Sequence, residues 1–505
     1  MPDIVSTKTK PIAVDGDTIT LTEQSSCFLM RAETGGGSQV QLTLDTVSGE
    51  SISAGDLVSQ FRYGVRKGFG LKTGSAEINH IAETLAFVGI AWLTSSKFVC
   101  VYRKSGGSKI YAKASILNTD WTITSGAEVT IANYATSGHL VRRGADDTFI
   151  VAWTDNATRI GRLFAAACTV ADTTITVGAE AEINPSSSVY TSGSDSYDFR
   201  LLTASTLLFA YRDTGDSNYL RACVVTWSGT TLTVNADVRI TTTAVDDVKL
   251  AVLSSTRAHV YYEGGGSGFW VNLIKVSGTV PSAGTAYGPT GGFTSLRGMD
   301  ATPYSSEYTM HSMADGANVY GVGGYGYLYS MELPAAAYNR PFGVWTTGSG
   351  CGKTRIHAAT QAAFVLFEDI VVATLKYSLC RLAWQSPQWL ASQSIHASGN
   401  HFDADLDPSR TALAIFFTDP AVSNQGNLLI YDVGFPIGIA QENNSGGSPL
   451  LICHQGLSEV HSGLVPYFPY YGQTDGTLIS TNNGWLIGRA IAADSLLVDM
   501  MNLVI

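Results

Sequence analysis

Along the middle of the chain, apolar and polar residues come in blocks. A short apolar run ending in an aromatic is followed by a polar turn, a second apolar run and often a Thr-rich third. Phe98-Val99-Cys100-Val101-Tyr102 leads through Ser105-Gly106-Gly107 into the run 110–117. Phe149-Ile150-Val151-Ala152-Trp153 leads through Asp155-Asn156 into 160–165, and Leu207-Leu208-Phe209-Ala210-Tyr211 leads through Asp213-Thr214-Gly215-Asp216 into 220–225. Further copies end at Tyr262, Phe367 and Phe417, and a weakly patterned one, Tyr308-Thr309-Met310-His311-Ser312-Met313, fills the remaining interval. Seven copies thus recur at steps of 50 to 58 residues. Each is rich in β-branched and aromatic residues, is bounded by Gly, Ser, Asn and Asp, and lacks a helical period, so each predicts antiparallel strands. A repeat of this length carrying three or four strands is the mark of a propeller blade, because one small sheet cannot bury both faces alone whereas sheets packed around an axis can. The pattern predicts an all-β chain with a seven-bladed β-propeller over 79–434. A count of seven depends on the copy at Met313; six and eight are the neighbouring alternatives.

Composition narrows the picture. Of 505 residues, 45% are hydrophobic and only 14% charged, against roughly 25% charged in an ordinary soluble domain; this excludes a disordered chain. The net charge of −11 argues against broad nucleic-acid or anionic-membrane binding, which need basic patches. The start, Met1-Pro2-Asp3-Ile4-Val5-Ser6-Thr7-Lys8, lacks the apolar stretch of a signal peptide, and no apolar run approaches the roughly 18 residues that span a bilayer. A product made in the cytoplasm, without membrane insertion, is expected. The seven cysteines are widely spaced inside apolar runs and read as small buried hydrophobes.

The two chain ends carry related signals. Near the C-terminus stand Gly463-Leu464-Val465-Pro466-Tyr467-Phe468-Pro469-Tyr470-Tyr471, the turn Thr474-Asp475-Gly476-Thr477-Leu478, then Ile487-Gly488-Arg489-Ala490 and Leu496-Leu497-Val498; upstream lies Ile52-Ser53-Ala54-Gly55-Asp56-Leu57-Val58. Together these segments resemble a small β domain found at the ends of bacteriophage tail-fibre and other virion appendage proteins. Tyr467 departs from that pattern, which often has glycine after the proline. The resemblance implies a discontinuous β-sandwich or barrel domain from 1–78 and 435–505, with the propeller inserted between its halves. Insertion of this kind is tolerated at a surface loop when the inserted domain's ends lie close together. It also implies a virion location, other virion proteins as partners, and a homo-oligomer, commonly a trimer.

Candidate chemistry is sparse. Gly348-Ser349-Gly350-Cys351-Gly352-Lys353-Thr354 approaches a phosphate-binding loop, but Thr347 stands where the first glycine belongs, so an inter-blade loop is expected. Asp403, Asp405 and Asp407 alternate, which puts them on one face of a strand, yet Pro408 follows where a calcium loop needs glycine; solvated strand and turn residues are expected. His396 with His401, and His454 with His461, form loose pairs without a third ligand, so neither a metal nor another cofactor is assigned. Glycoside hydrolysis needs two carboxylates about 5 to 10 Å apart. Glu263, Glu307, Glu368 and Asp369 stand near the ends of apolar runs, and no catalytic residue is assigned. Tyr325, Tyr327 and Tyr329 share one face if extended, and Tyr190 and Tyr197 flank a Ser/Gly-rich loop. Aromatic rings with a hydroxyl suit sugar binding, so these five are the candidate ligand-binding residues.

Three functional readings follow. One is a virion adhesin, at a tail fibre or tail tip, that binds a host-surface polysaccharide or receptor. The second is a glycan-degrading propeller enzyme, and the third a ligand-free virion decoration or connector protein.

Overall fold

The computed structural model describes the stretches 40–134, 139–184, 196–290, 296–326, 351–381 and 393–499, apart from short gaps within them, and the strand segments 13–15, 18–20, 30–31, 344–346 and 388–389. The chain divides into two compact units, 73–380 with 391–431, and 1–72 with 381–390 and 432–505.

The larger unit is a β-propeller with seven blades among the described residues. Blade I joins the second half of Ile78–Trp92 to Lys97–Lys104, Ile110–Leu117 and Val129–Ala132. Blade II runs His139–Arg143, Thr148–Asp155, Arg162–Ala171, Thr174–Val177, and blade III Tyr197–Thr203, Thr206–Asp213, Tyr219–Ser228 and the start of Val238–Ser254. The rest of Val238–Ser254 opens blade IV, continued by Arg257–Gly264, Gly268–Ser277 and Val280–Thr290. Blade V is Leu296–Pro303, Tyr308–Asp315, Asn318–Gly326 and Val344–Thr346, so the weakly patterned copy at Met313 is a true blade. Blade VI contains Cys351–Ala358, Ala362–Asp369, Thr374–Arg381 and Gln393–His396. In blade VII, Asn400–Leu406, Ala412–Asp419 and 425–431 receive their fourth strand from residues 78–84 at the propeller's other end. The first strands touch in ring order from blade I to blade VII and back to blade I.

The block pattern of the sequence follows from this architecture. Second strands face a neighbouring blade on both sides, so Thr148–Asp155 and Ala412–Asp419 are buried at every position and read as continuous apolar runs. Phe149, Val151 and Trp153 pack with Val99 and Val101 of blade I, whereas Ile150 and Ala152 pack with Phe199 and Phe209 of blade III. Cys100, Cys168, Cys223 and Cys453 are buried and form no disulfide. Turns recur as well. Asp213 caps Thr214–Asp216 and Asp419 caps Pro420–Val422, each turn ending in a left-handed Ser-Asn pair, Ser217-Asn218 and Ser423-Asn424.

In the second unit, Leu57–Phe61 pairs with residues 435–439, and Val40–Asp45 pairs with Pro449–Ser458, which in turn pairs with Leu496–Asp499. Ile52, Val58, Val65, Ala440, Leu450 and Ile452 form its core. Gly55, at φ 89°, makes the turn that lets its N–H reach the Ala440 carbonyl at 2.8 Å, and the Leu57 N–H donates to the Gly476 carbonyl at 2.9 Å.

Candidate functional site

The first strands of the blades surround a central cavity of about 280 Å³. Six blades line it: Trp92 from I, Arg142 and Arg143 from II, Arg200 from III, Asp300 and Thr302 from V, Arg355 and His357 from VI, and Asp405 from VII. These charged and polar side chains line it beside Ile90, Val141, Leu201 and Ile356 of the same first strands.

Most of these charges tie blades together. Asp198 accepts from the Leu250 N–H of blade IV at 2.9 Å and from Arg142 of blade II at 3.1 Å. Asp300 accepts from the Ile356 N–H of blade VI at 3.0 Å and from Arg200 at 3.3 Å. Asp403 accepts from the Ile90 N–H of blade I at 3.0 Å and from Arg355 at 2.5 Å. Each carboxylate therefore bonds the backbone of the next first strand and an arginine, which satisfies charges that would otherwise be costly to bury. Burial pushes the Asp198 carboxyl up, but Arg200, Arg142 and Lys249 outweigh it and hold the group below the usual range.

Asp405 differs. Its Oδ2 accepts from the Trp92 N–H at 2.8 Å and its Oδ1 from the Leu406 N–H at 3.0 Å, but no arginine pairs with it among the described residues. Burial, helped by the charge of Asp403 and opposed by the Trp92 N–H and Arg142, raises its carboxyl to about 7. His357 is lowered to about 4 by burial, which outweighs Asp300 and Asp403, and its Nε2 is buried without a hydrogen-bond partner among the described residues. Arg143 has no charged partner among the described residues, and its Nε is likewise buried and unbonded. A protonatable carboxyl, a neutral imidazole and an uncommitted guanidinium thus line one cavity. They can bind an anionic group and pass a proton to or from it.

The expected solvated character of Asp403, Asp405 and Asp407 is corrected. Asp403 and Asp407 are buried, the first joining blades and the second closing a turn by accepting from the Thr411 and Ala412 N–H groups, both at 2.6 Å. The alternation itself holds, since Asp403 and Asp405 reach Ile90 and Trp92 of the same neighbouring strand. Tyr197 is fully buried and its hydroxyl donates to the Ala152 carbonyl at 3.0 Å, which makes it an inter-blade core residue with no face for a ligand. Tyr325 lies on Asn318–Gly326 opposite Thr309, while Tyr190, Tyr327 and Tyr329 lie outside the described residues. Cys351, Gly352, Lys353 and Thr354 open a strand, not a helix, so a phosphate-binding loop is excluded there; residues 348–350 lie outside the described residues. Glu263 ends a second strand, away from the axis, and Glu307 lies outside the described residues. The axial residues were visible only as charges interrupting the run ahead of each repeat: Asp198, Asp300 and Asp403 precede Tyr211, Met313 and Phe417 by 13, 13 and 14 positions.

No family model matches the chain, and no curated protein matches it. Among solved structures, it is similar to a Lactobacillus plantarum protein at 14% identity and TM-score 0.41, over 71% of this chain and 99% of that one. A Penicillium chrysogenum α-L-arabinanase complexed with arabinobiose matches at 11% and 0.36, over 76% and 98%. A periplasmic gluconolactonase of Pseudomonas aeruginosa matches at 13% and 0.35, over 67% and 95%. The β-propeller assignment rests on the strand pairings and ring order above.

Proposed function

We propose that the propeller is carbohydrate-active: it binds an acidic saccharide in the axial cavity, and Asp405 is the proton donor that acts on it. The observation that carries this reading is the division of labour among the axial charges. Asp198, Asp300 and Asp403 are consumed by arginines and backbone N–H groups, whereas Arg143 and the Nε2 of His357 are left for a ligand, and the carboxyl of Asp405, held by two backbone N–H groups, has no arginine among the described residues. A guanidinium fork suits a sugar carboxylate, and a carboxyl raised to about 7 still carries a proton at neutral pH to give to a leaving oxygen. A two-carboxylate hydrolysis has no free second partner among the described axial residues, so Asp405 protonates the leaving oxygen as the glycosidic bond breaks, and the imidazole of His357 takes the proton of the water that attacks the sugar carbon.

The test is a panel of acidic and neutral oligosaccharides scored for retention and for new reducing ends. Acidic sugars are expected to be retained and cleaved, Arg143→Ala to lose retention, and Asp405→Asn to keep retention while losing cleavage. Retention without cleavage would remove the catalytic part, and equal binding of neutral sugars would overturn the assignment of Arg143.

A second reading places this site in a bacteriophage virion appendage, as an adhesin for a host-surface polysaccharide, with other virion proteins and copies of the chain as partners. What supports it is that the two distant segments carrying the resemblance meet: Leu57 bonds Gly476, and Gly55 bonds Ala440. Finding the protein in purified particles by mass spectrometry would favour it; its absence from them would remove it.

A further inference from the structure

We infer that Glu77, His396 and Asp419 form a binding site for a divalent transition ion of the zinc class, placed where the propeller ring closes. One ligand atom from each lies within 4.8 Å of the other two. A tetrahedral ion with bonds of about 2.0–2.2 Å holds its ligand atoms about 3.5 Å apart, so small side-chain adjustments suffice. One imidazole and two carboxylates are a donor set that such ions take.

The histidine ring is already held in place. Its Nδ1 is held against Ser398, in short contact with the carbonyl oxygen and 3.2 Å from the backbone N–H, which fixes the ring with Nε2 toward Glu77. Nε2 lies 2.8 Å from Glu77 Oε2, and an ion would take the place of the ring proton between them. The sequence offered no third ligand near His396 and His401 because the partners come from the two ends of the propeller.

A second, independent feature points the same way. Asn427 is 4% exposed and donates its amide N–H to Glu77 Oε1 at 2.6 Å, yet its own Oδ1 is buried without a partner among the described residues. An ion held by Glu77 gives that oxygen a positive partner, directly or through a bound water. Asp419 is 6% exposed; its Oδ1 accepts from the Ser398 hydroxyl at 2.5 Å and the Ala421 N–H at 2.9 Å, and no hydrogen bond among the described residues engages its Oδ2. Glu77 directly precedes the strand 78–84 that completes blade VII, where Leu428 pairs with Ile78 and Asn427 with Asn79. The ion would therefore clip the first segment of the propeller to its last blade.

The experiment uses the full chain after chelator treatment, with Zn²⁺ and, separately, Mg²⁺ followed by calorimetric titration and thermal melting. Zn²⁺ is expected to bind one per chain and to raise the melting temperature, as any ligand of the native state does; Mg²⁺ is expected to do neither. His396→Gln and the exposed Glu77→Gln should each weaken Zn²⁺ binding by about tenfold or more. Wild-type protein that takes up no Zn²⁺, or a folded Glu77→Gln variant that binds it as wild type does, would overturn the site and leave a plain His396–Glu77 ion pair.

Discussion

Among the axial residues, Asp405 makes the sharpest claim because its protonation is linked to folding. The native state holds the proton up to about pH 7, whereas the unfolded chain releases it in the ordinary carboxylate range, so the native state binds more protons between about pH 4 and 7 and Asp405 lowers stability as pH rises through that window. The buried His80 and His259, each lowered to about 4 by burial, act in the opposite direction because the unfolded chain binds their protons first. The total pH profile therefore mixes signs, and the informative quantity is a difference. Asp405→Asn keeps an acceptor for the Trp92 N–H and removes the titration. Its melting temperature relative to wild type is expected to rise between pH 4.5 and pH 8; a constant difference across that range would contradict a raised Asp405. Little of this was legible beforehand. An Asp in an alternating run reads as solvated, and only the ring, which brings Ile90 and Trp92 from 313 residues away, buries Asp403 and raises Asp405.

The elements were more legible, for a physical reason. A second strand buried on both faces is apolar along its middle, and that signal survives where one-sided alternation is lost. The outer edges are harder to read because they depend on small residues. Gly126 and Gly178 stand one repeat apart, each just after a short edge strand, and each N–H donates to the third strand of its own blade, at the Ala114 carbonyl at 2.9 Å and the Ala167 carbonyl at 3.0 Å. A Cβ on Gly126 would lie 2.2 Å from the Thr173 carbonyl oxygen, and one on Gly178 would lie 2.0 Å from that of Thr230. These glycines thus let the hairpin turn of the following blade seat against the blade before it. Gly178→Ala forces two backbones apart, and about 1–3 kcal/mol of destabilisation is expected in denaturant unfolding. Gly229→Ala, where an added Cβ meets nothing within 4 Å but φ is 57°, gives a control for backbone conformation alone.

At the scale of the whole propeller, one repeat differs from the rest. Six blades are built from continuous chain, but blade VII borrows residues 78–84 from the other end, so the repeat count in the sequence and the closure of the ring are separate facts. Periodicity found the copies; it could not find the exchange, because 78–84 has no partner nearby in the chain. Closure matters energetically because an open ring leaves the edge of blade VII unpaired and the faces of blades VII and I wet. Ile81 and Leu85 are buried there with Phe416 and Leu428, and a Cβ added at Gly426 would lie 2.6 Å from Leu85 Cδ1, so that side chain would have to shift. Ile81→Ala is expected to cost about 2–5 kcal/mol, with hydrogen exchange accelerating first in 412–431 while 148–171 keeps its protection. That order distinguishes a ring which opens at its seam from one which unfolds as a unit. Uniform acceleration across all blades would mean that the borrowed strand stabilises the propeller only globally, and that the seam is no weaker than any other interface between neighbouring blades.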